Sequence, residues 1–415
     1  MKASTRVQLS GMMFLNFFIW GAWYVTMGTY LDKVLGASGV QIGAAYSAMA
    51  IATIISPFFV GMVADRFFPA QKVLSVLHFL GAFLLYYITT IKNPGSFYWV
   101  LLLYSLLYAP TLALANSVAF RQMKDSSKEF ASIRVFGTLG WIATGWIIDK
   151  VLRIGVTELA LTFQMAAAAS VVLALLSLFL PDTPPKAKGK KASFKQILGA
   201  DAFVLFRDRS FTIFVIASVL ICIPLSFYYS FTNLFLTESG MQNATSNMTF
   251  GQFSEAFFIL LIPFCFRWLG VKWMITIGMV AWIARFLFFS FGDAETGMWM
   301  LFAGIILHGV CFDFFFVTGQ IYTDSKAGVN IQSQAQGMIT MATYGVGMWI
   351  GTLLSGYVKE AYTVNNTVKW HDVWLVPAGI AFVVLLMFIL LFRDNKKTAI
   401  TESEAGVGLA QTQLT

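Results

Sequence analysis

Charged residues are scarce in this sequence, and their scarcity excludes an ordinary soluble protein. Asp, Glu, Lys and Arg make up 12% of the 415 residues, whereas 58% of the residues are hydrophobic and the mean hydropathy is +0.73. A typical soluble domain is about 25% charged. Because so few charged side chains cannot cover so much apolar surface, the composition predicts a protein embedded in a membrane.

Histidine and cysteine are also scarce, with three residues of each. The histidines are far apart, and neither an H-E-x-x-H motif nor a P-loop occurs. The cysteines lie in apolar runs, and their spacing indicates neither a metal site nor a disulfide framework. A polytopic membrane enzyme would need a reacting group of side chains that the sequence does not offer. We therefore predict no enzyme activity, no metal and no cofactor.

The sequence contains many long apolar runs. Each is long enough to cross about 30 Å of hydrocarbon as a helix, the only spanning form such runs allow. We predict an all-α membrane protein with twelve transmembrane helices. The spans lie near 10–31, 42–64, 73–91, 97–119, 132–149, 159–180, 211–236, 250–266, 273–291, 298–322, 334–357 and 373–392.

The distribution of Lys and Arg among the connections predicts the orientation. With the N-terminus in the cytoplasm, roughly twenty of these residues lie on the inner side and six on the outer side. Both termini are therefore expected to be cytoplasmic. The net charge of +8 is explained by topology, so no nucleic acid partner is predicted.

A single change of composition divides the chain into two halves. The stretch PDTPPKAKGKKASFKQILGADAFVLFRDRS combines prolines, which stop the sixth span, with a cluster of lysines. Control of topology is the simpler role for the lysines, and binding of anionic lipid headgroups is the alternative. We predict a six-helix bundle at 1–180, a basic cytoplasmic linker at 181–210, a second six-helix bundle at 211–393 and a polar cytoplasmic tail at 394–415.

Twelve spans divided six and six resemble the major facilitator superfamily, whose halves are related by pseudo-symmetry. The connection GMVADRFFPAQK at 61–72 resembles the G-x-x-x-D-R signature of that superfamily. Gly61 permits close contact between helices, while Asp65 and Arg66 can bridge to neighbouring helix ends. The corresponding RWLGVK at 267–272 keeps only a trace of the signature. The resemblance implies two pseudo-symmetric six-helix bundles, the major facilitator fold.

Four charged residues remain inside the predicted spans: Arg134, Glu255, Arg285 and Asp313. Such residues usually face the interior of a helix bundle and mark substrate or proton pathways. Arg134 is near enough to a span end to snorkel or to cap a helix, and an internal salt bridge is the favoured role of Arg285. Asp313 lies among four phenylalanines in GVCFDFFFVTGQ, and neither it nor Glu255 is near a span end. These two acids are the predicted sites of proton coupling.

Polar and aromatic neighbours accompany these charges at helical spacing. Residues at this spacing form polar stripes, each of which places hydrogen-bonding groups beside aromatic rings. A binding cavity for a solute with several hydroxyl groups and a ring would need both. The stripes are Arg134, Thr138 and Trp141 in the fifth span; Ser226, Tyr229 and Asn233 in the seventh; Gln252 and Glu255 in the eighth; and His308, Phe312 and Asp313 in the tenth.

Eight segments resemble the nucleoside:proton symporter family of bacterial inner membranes and occur in the family's order. They are FFIWGAWYVTMGTYL (17–31), GAAYSAMAIATIISPFFVGMVADR (43–66), YAPTLALANSVAFRQM (108–123), IRVFGTLGW (133–141), QFSEAFFILLIPF (252–264), VAWIARFLFFSFGD (280–293), FDFFFVTGQIY (312–322) and SQAQGM (333–338). The resemblance implies uptake of nucleosides with protons by alternating access across the bacterial cytoplasmic membrane. A monomer in contact with membrane lipids is the expected working form.

The resemblance also implies which residues bind the nucleoside. Carboxylates and Gln252 would hold the ribose hydroxyls, and rings would stack on the base. Ser226 and Tyr229 stand where side-chain amides are expected, and His308 stands where an aromatic hydroxyl is expected. The implied binding residues are Arg134, Thr138, Trp141, Ser226, Tyr229, Gln252, Glu255, His308, Phe312 and Asp313. A proton-coupled sugar or oligosaccharide permease is the alternative, because a carboxylate, an Arg and a Trp also suit sugars.

Overall fold

The structure of the chain is a computed structural model that describes residues 2–64, 67–123, 129–185 and 200–393. Within these ranges, the side chains of 57–62 and 329–330 are not described. The signature residues Asp65 and Arg66, the middle of the predicted linker and the predicted tail lie outside the described residues.

Helices account for most of the described residues. In the first half they are α1 Ala3–Tyr24, α2 Met27–Lys33, α3 Gly39–Val63, α4 Ala70–Ile88, α5 Pro94–Arg121, α6 Ala131–Trp146 and α7 Ala160–Leu178. In the second half they are α8 Arg209–Glu238, α9 Ala244–Phe291, α10 Met298–Ile306, α11 His308–Phe312, α12 Thr318–Thr340, α13 Met348–Ala361 and α14 Trp370–Leu391. Shorter elements are π-helical turns at Ile147–Val151, Asp313–Val317 and Met341–Gly347, 3₁₀ turns at Val156–Glu158 and Ala200–Arg207, and an antiparallel hairpin of β1 Thr363–Val364 and β2 Thr367–Val368.

Ten helical segments within the described residues are long and apolar enough to cross a membrane. The predicted twelve spans are consistent with these ten for two reasons. First, α1 is a 22-residue helix that is not among the ten. Second, α9 has 48 residues, which at 1.5 Å per residue is about 70 Å, twice the length that one crossing needs.

Two glycines with left-handed backbone conformations interrupt the long helices. Gly270 breaks α9 at φ 67°, between the predicted eighth and ninth spans. Gly328 breaks α12 at φ 63°, between the predicted tenth and eleventh spans. Glycine reaches this region without the steric penalty that a Cβ imposes. Beyond the first break, Lys272 Nζ donates to the carbonyl oxygens of Ile389 and Phe392, at 3.0 and 2.9 Å, and so caps the end of α14.

The first and tenth predicted spans are less regular than the sequence suggested. Between α1 and α2 the helix is interrupted at Val25 and Thr26, two β-branched residues with low helix propensity. The tenth span is divided into α10, α11 and a π-helical turn that begins at Asp313. Thr318, the first residue of α12, donates its hydroxyl to the Asp313 carbonyl oxygen at the end of this turn, at 3.3 Å. Single π-helical turns are frequent at functional sites.

The chain forms two compact units. Among the described residues, 2–37 and 48–185 belong to the first unit, and 38–47 and 200–393 belong to the second. Residues 38–47 pack within the second unit, where the backbone N–H of Gly39 donates to Glu360 Oε2 at 2.6 Å.

Close contact between α1 and α6 organises the first unit. A Cβ on Gly140 of α6 would collide with the backbone carbonyl oxygen of Phe14 on α1. Small residues at helix contacts let backbones approach closely in membranes, where packing replaces the hydrophobic effect as the driving force. Tyr108 of α5 joins the same contact, since its hydroxyl donates to the Asn16 carbonyl oxygen at 2.7 Å.

The Gly140→Ala variant is therefore expected to be destabilised by about 1–3 kcal/mol or more, because the methyl group meets backbone that cannot move aside. Thermal unfolding in detergent measures this loss. Gly379→Ala on α14 is the matched control, since nothing lies within 4 Å of a Cβ at that position. A melting temperature for Gly140→Ala as high as that of Gly379→Ala would contradict the described contact.

Candidate functional site

The first unit carries Arg134, Thr138 and Trp141 on one face of α6, all of them half-buried. Helical spacing of four and three residues aligns the three side chains. The Arg134 guanidinium carbon lies 3.9 Å from the centroid of the Phe17 ring on α1. Trp141 packs edge-on against Trp20 of α1, with ring centroids 5.5 Å apart and an interplanar angle of 82°.

Arg134 does not cap α6. It lies in the first turn of that helix, where the unpaired backbone groups are N–H donors. A guanidinium has no acceptor to offer them, and its positive charge is on the unfavourable end of the helix dipole. A Cβ on Gly137 would come within 2.6 Å of Arg134 Nη1 and 2.8 Å of the Phe17 ring, so this glycine leaves room for the guanidinium. The geometry therefore argues against a capping role for Arg134 in α6.

In the second unit, His308 of α11 lies at the centre of a group that we call the His308 cluster: Tyr228, Glu255, Arg285 and His308. The His308 Nε2 atom is 3.8 Å from Glu255 Oε2, and its Nδ1 atom is 3.1 Å from Arg285 Nη1. Its ring stacks on Tyr228 of α8, with centroids 5.2 Å apart and planes at 23°. The Glu255 side chain is 30% exposed and that of His308 only 2%, so Glu255 is the member with exposed surface.

Two glycines bring α11 and α9 together in this cluster. A Cβ on Gly251 of α9 would lie 3.1 Å from the Cβ atom of His308. A Cβ on Gly309 of α11 would collide with the backbone between Ser254 and Glu255. The hydroxyl group of Ser254 donates to the Ile306 carbonyl oxygen across the same contact. The two glycines therefore let the backbones of α9 and α11 approach closely, and this contact places the imidazole beside the carboxylate.

Arg285 is fully buried, with 0% of its surface exposed. Its guanidinium carbon lies 3.5 Å from the centroid of the Tyr228 ring, as expected for a cation–π contact. Among the described residues, Arg285 has no ion pair with a carboxylate, and its Nε and Nη2 atoms have no hydrogen-bond partner. The favoured sequence interpretation of Arg285, an internal salt bridge, is therefore wrong for the described residues: an imidazole and aromatic rings surround this cation.

Asp313 is also fully buried, and it begins the π-helical turn that follows α11. Neither carboxyl oxygen has a hydrogen-bond partner among the described residues. The carboxyl group does interact electrostatically with that of Glu255. An ionised carboxylate without donors costs several kcal/mol in such surroundings. Phe312 links this residue to the cluster, since its ring centroid is 5.8 Å from that of His308.

The polar stripe predicted on the seventh span is divided in the structure. Ser226 is fully buried, and its hydroxyl donates to the Cys222 carbonyl oxygen at 2.7 Å and contacts Met348 of α13. The Asn233 amide donates to Thr245 Oγ1 at 3.2 Å. Tyr229 is half-buried, with its ring centroid 5.5 Å from that of Tyr228. Ser226 therefore belongs to a contact between α8 and α13.

Gln252 is half-buried and lies one helical turn before Glu255 on α9. Two adjacent helices, α9 and α11, and the π-helical turn after α11 thus carry five of the predicted site residues: Gln252, Glu255, His308, Phe312 and Asp313. Sequence reasoning missed Tyr228 and underrated Arg285. A buried arginine needs an aromatic or acidic neighbour, and this need could have indicated both residues. The sequence does not show which residue is that neighbour.

The family model for the nucleoside H+ symporters matches residues 1–397 of the chain. The chain belongs to this family. It is 43% identical to the putative nucleoside transporter YegT of Escherichia coli K12, over 99% of both chains. It is 33% identical to the xanthosine permease of the same organism, over 94% of this chain and 97% of the permease.

The structure is also similar to the crystal structure of the nucleoside transporter NupG. The TM-score is 0.85 at 34% sequence identity, over 94% of this chain and 100% of that chain. The predicted major facilitator fold and the predicted family are confirmed. The protein is a transporter, as the family and these relatives are, and the nucleoside symporter reading is supported over that of a sugar permease.

Proposed function

We propose that this protein carries nucleosides together with protons into a bacterial cell by alternating access. The family supports this function, and the relatives named above include a xanthosine permease and a nucleoside transporter. The family supports an inner membrane location, and the asymmetry of Lys and Arg supports an orientation with both termini in the cytoplasm. We further propose that the transporter works as a monomer in contact with membrane lipids.

In this proposal the side chains of the two units have different tasks. The Arg134 guanidinium and the Thr138 hydroxyl donate hydrogen bonds to the nucleoside, and the Trp141 indole stacks on a ring. Gln252 and Glu255 hold ribose hydroxyls. Tyr229, His308 and Phe312 contribute ring surface, to which His308 adds a polar edge. This combination suits a solute with both hydroxyl groups and an aromatic base.

One observation carries the proton half of the function. Asp313 is buried without hydrogen-bond donors among the described residues and interacts with Glu255, whose side chain is 30% exposed. Two carboxyl groups in this arrangement disfavour the doubly ionised state, because each lacks full hydration and each repels the other. We propose that a proton is bound by this pair during uptake.

Uptake of labelled uridine into proteoliposomes with an acidic exterior tests the function. Uridine is expected to accumulate above its outside concentration, and unlabelled nucleosides are expected to compete for uptake whereas maltose does not. A panel of purine and pyrimidine nucleosides then ranks the substrates. Competition by sugars without competition by nucleosides would contradict the proposal and favour a sugar permease.

A further inference from the structure

The His308 imidazole lies between a group that only donates hydrogen bonds and a group that accepts them. Arg285 Nη1 is 3.1 Å from Nδ1 of the ring, and Glu255 Oε2 is 3.8 Å from Nε2. A guanidinium carries N–H donors and no acceptor. The contact at Nδ1 is therefore a hydrogen bond only if Nδ1 offers its lone pair, which leaves the ring proton on Nε2.

We propose that Arg285 is a positioning residue that holds His308 as the neutral tautomer with its proton on Nε2. In this form the ring presents an N–H donor toward Glu255 and, on the basis of the proposed function, toward an acceptor atom of the nucleoside. The Nε2–H group of His308 can therefore only donate a hydrogen bond, whereas an aromatic hydroxyl at this position could donate or accept one. The site is then selective for nucleosides that place a hydrogen-bond acceptor opposite Nε2.

The ring of Tyr228 fixes both partners of this hydrogen bond. The Arg285 guanidinium carbon is 3.5 Å from its centroid, and the imidazole stacks on the same ring at 5.2 Å. Trp282 and Phe289 add further aromatic surface, at 5.3 and 5.7 Å from the guanidinium carbon. Aromatic faces stabilise the Arg285 cation without accepting hydrogen bonds from the N–H groups in the guanidinium plane. Arg285 Nη1 therefore remains free to donate to His308.

Protonation of the ring is opposed by its surroundings. A proton on Nδ1 would break the hydrogen bond from Arg285 and set two cations side by side. Three titratable groups contact His308: Tyr228 of α8, and Glu255 and Arg285 of α9. Two more adjoin these partners, since Asp313 interacts with Glu255 and Cys311 interacts with Arg285. In this proposal His308 stays neutral, and the transported proton binds to the carboxyl groups of Glu255 and Asp313.

The tautomer itself is measured by ¹⁵N NMR of histidine-labelled, detergent-solubilised protein. The chain has only three histidines, so the His308 signals are those missing from the His308→Gln variant. Between pH 5 and 8, the wild-type Nδ1 resonance is expected in the range of unprotonated ring nitrogens and the Nε2 resonance in the range of protonated ones. A wild-type Nδ1–H tautomer, or an imidazolium that forms in this range, would overturn the proposal. This measurement needs no transport, so its failure is distinct from failure of the proposed function.

The Arg285→Met variant removes the donor and frees Nδ1. His308 is then expected to titrate between pH 5 and 8, the range of an ordinary histidine. The KM for uridine is expected to rise roughly tenfold from the loss of one positioned hydrogen bond, and to become dependent on pH across this range. The double variant Arg285→Met, His308→Gln is expected to lack that pH dependence.

Arg267→Met is the matched control, since Arg267 is an exposed arginine of α9 on the other side of the break at Gly270. Its KM and its pH profile are expected to equal those of the wild type. An Arg285→Met variant that is folded, by its elution and melting profile, and that keeps the wild-type pH profile would contradict the positioning role. If that variant does not fold, the wild-type tautomer still decides the question.

Discussion

Proteoliposomes that carry the Asp313→Asn variant are expected to exchange nucleoside across the membrane without concentrating it under an imposed pH gradient. Asparagine keeps the shape of the buried side chain but carries no transferable proton. Accumulation of labelled uridine is therefore expected to fall from several-fold to the equilibrium level. Counterflow of labelled uridine, which requires no net proton movement, is expected to persist.

Asp293→Asn is the matched control for this substitution. Asp293 lies exposed between α9 and α10, where its Oδ1 atom accepts hydrogen bonds from the backbone N–H groups of Glu295 and Thr296, both at 2.7 Å. The side chain of Asn has the same acceptor oxygen, so both the loop and accumulation are expected to be preserved.

Glu255→Gln is the second arm of the same experiment. Glu255 is half-exposed and close to His308, so its loss is expected to abolish accumulation and also to raise the KM for uridine. If the Asp313→Asn and Glu255→Gln variants both still concentrate uridine, the assignment of proton coupling to these two acids is wrong.

The Arg134→Gln variant is expected to lose roughly 10- to 100-fold in kcat/KM for uridine uptake. A hydrogen bond to a charged group contributes about 1.5–3 kcal/mol, and each 1.4 kcal/mol corresponds to about a tenfold change. Arg134→Lys is expected to recover only part of this loss, because an ammonium lacks the planar fork that a guanidinium offers. Initial rates of counterflow measure the effect without involving the proton gradient.

Arg6→Gln is the matched control in the same unit. Arg6 lies exposed near the start of α1, and its loss is expected to leave the rate unchanged. Wild-type kinetics in Arg134→Gln would show that Arg134 serves only to pack against Phe17.

Features that depend on chain composition or on local backbone chemistry were predictable from the sequence. The apolar runs predicted the helices, and the break between the eighth and ninth spans was predicted within the few residues around Gly270. The sequence singled out Asp313 because a carboxylate in an apolar run has no inexpensive structural role, and the structure buries this side chain fully. The helical spacing of Arg134, Thr138 and Trp141 also placed these residues on one face, as the structure has them.

Features that depend on which helices face each other were not predictable. Ser226 shares a helical face with Tyr229 by spacing, but Gly351 lets α13 approach closely enough to enclose its hydroxyl group. Tyr228 and Arg285 lie on different helices, and no local pattern connects them. Arg285 was assigned to a salt bridge because the sequence reveals which carboxylates exist, whereas the structure reveals that an imidazole and a phenol ring surround it.

Proton movement driven by a nucleoside gradient tests most directly whether the buried charges serve both substrate and proton. Proteoliposomes with a pH-sensitive dye inside, no initial pH gradient and a clamped membrane potential receive uridine from outside. The lumen of wild-type proteoliposomes is expected to acidify as uridine enters, and that of Asp313→Asn proteoliposomes is expected to stay at its starting pH. Uridine entry into wild-type proteoliposomes with no change in lumenal pH would contradict the account.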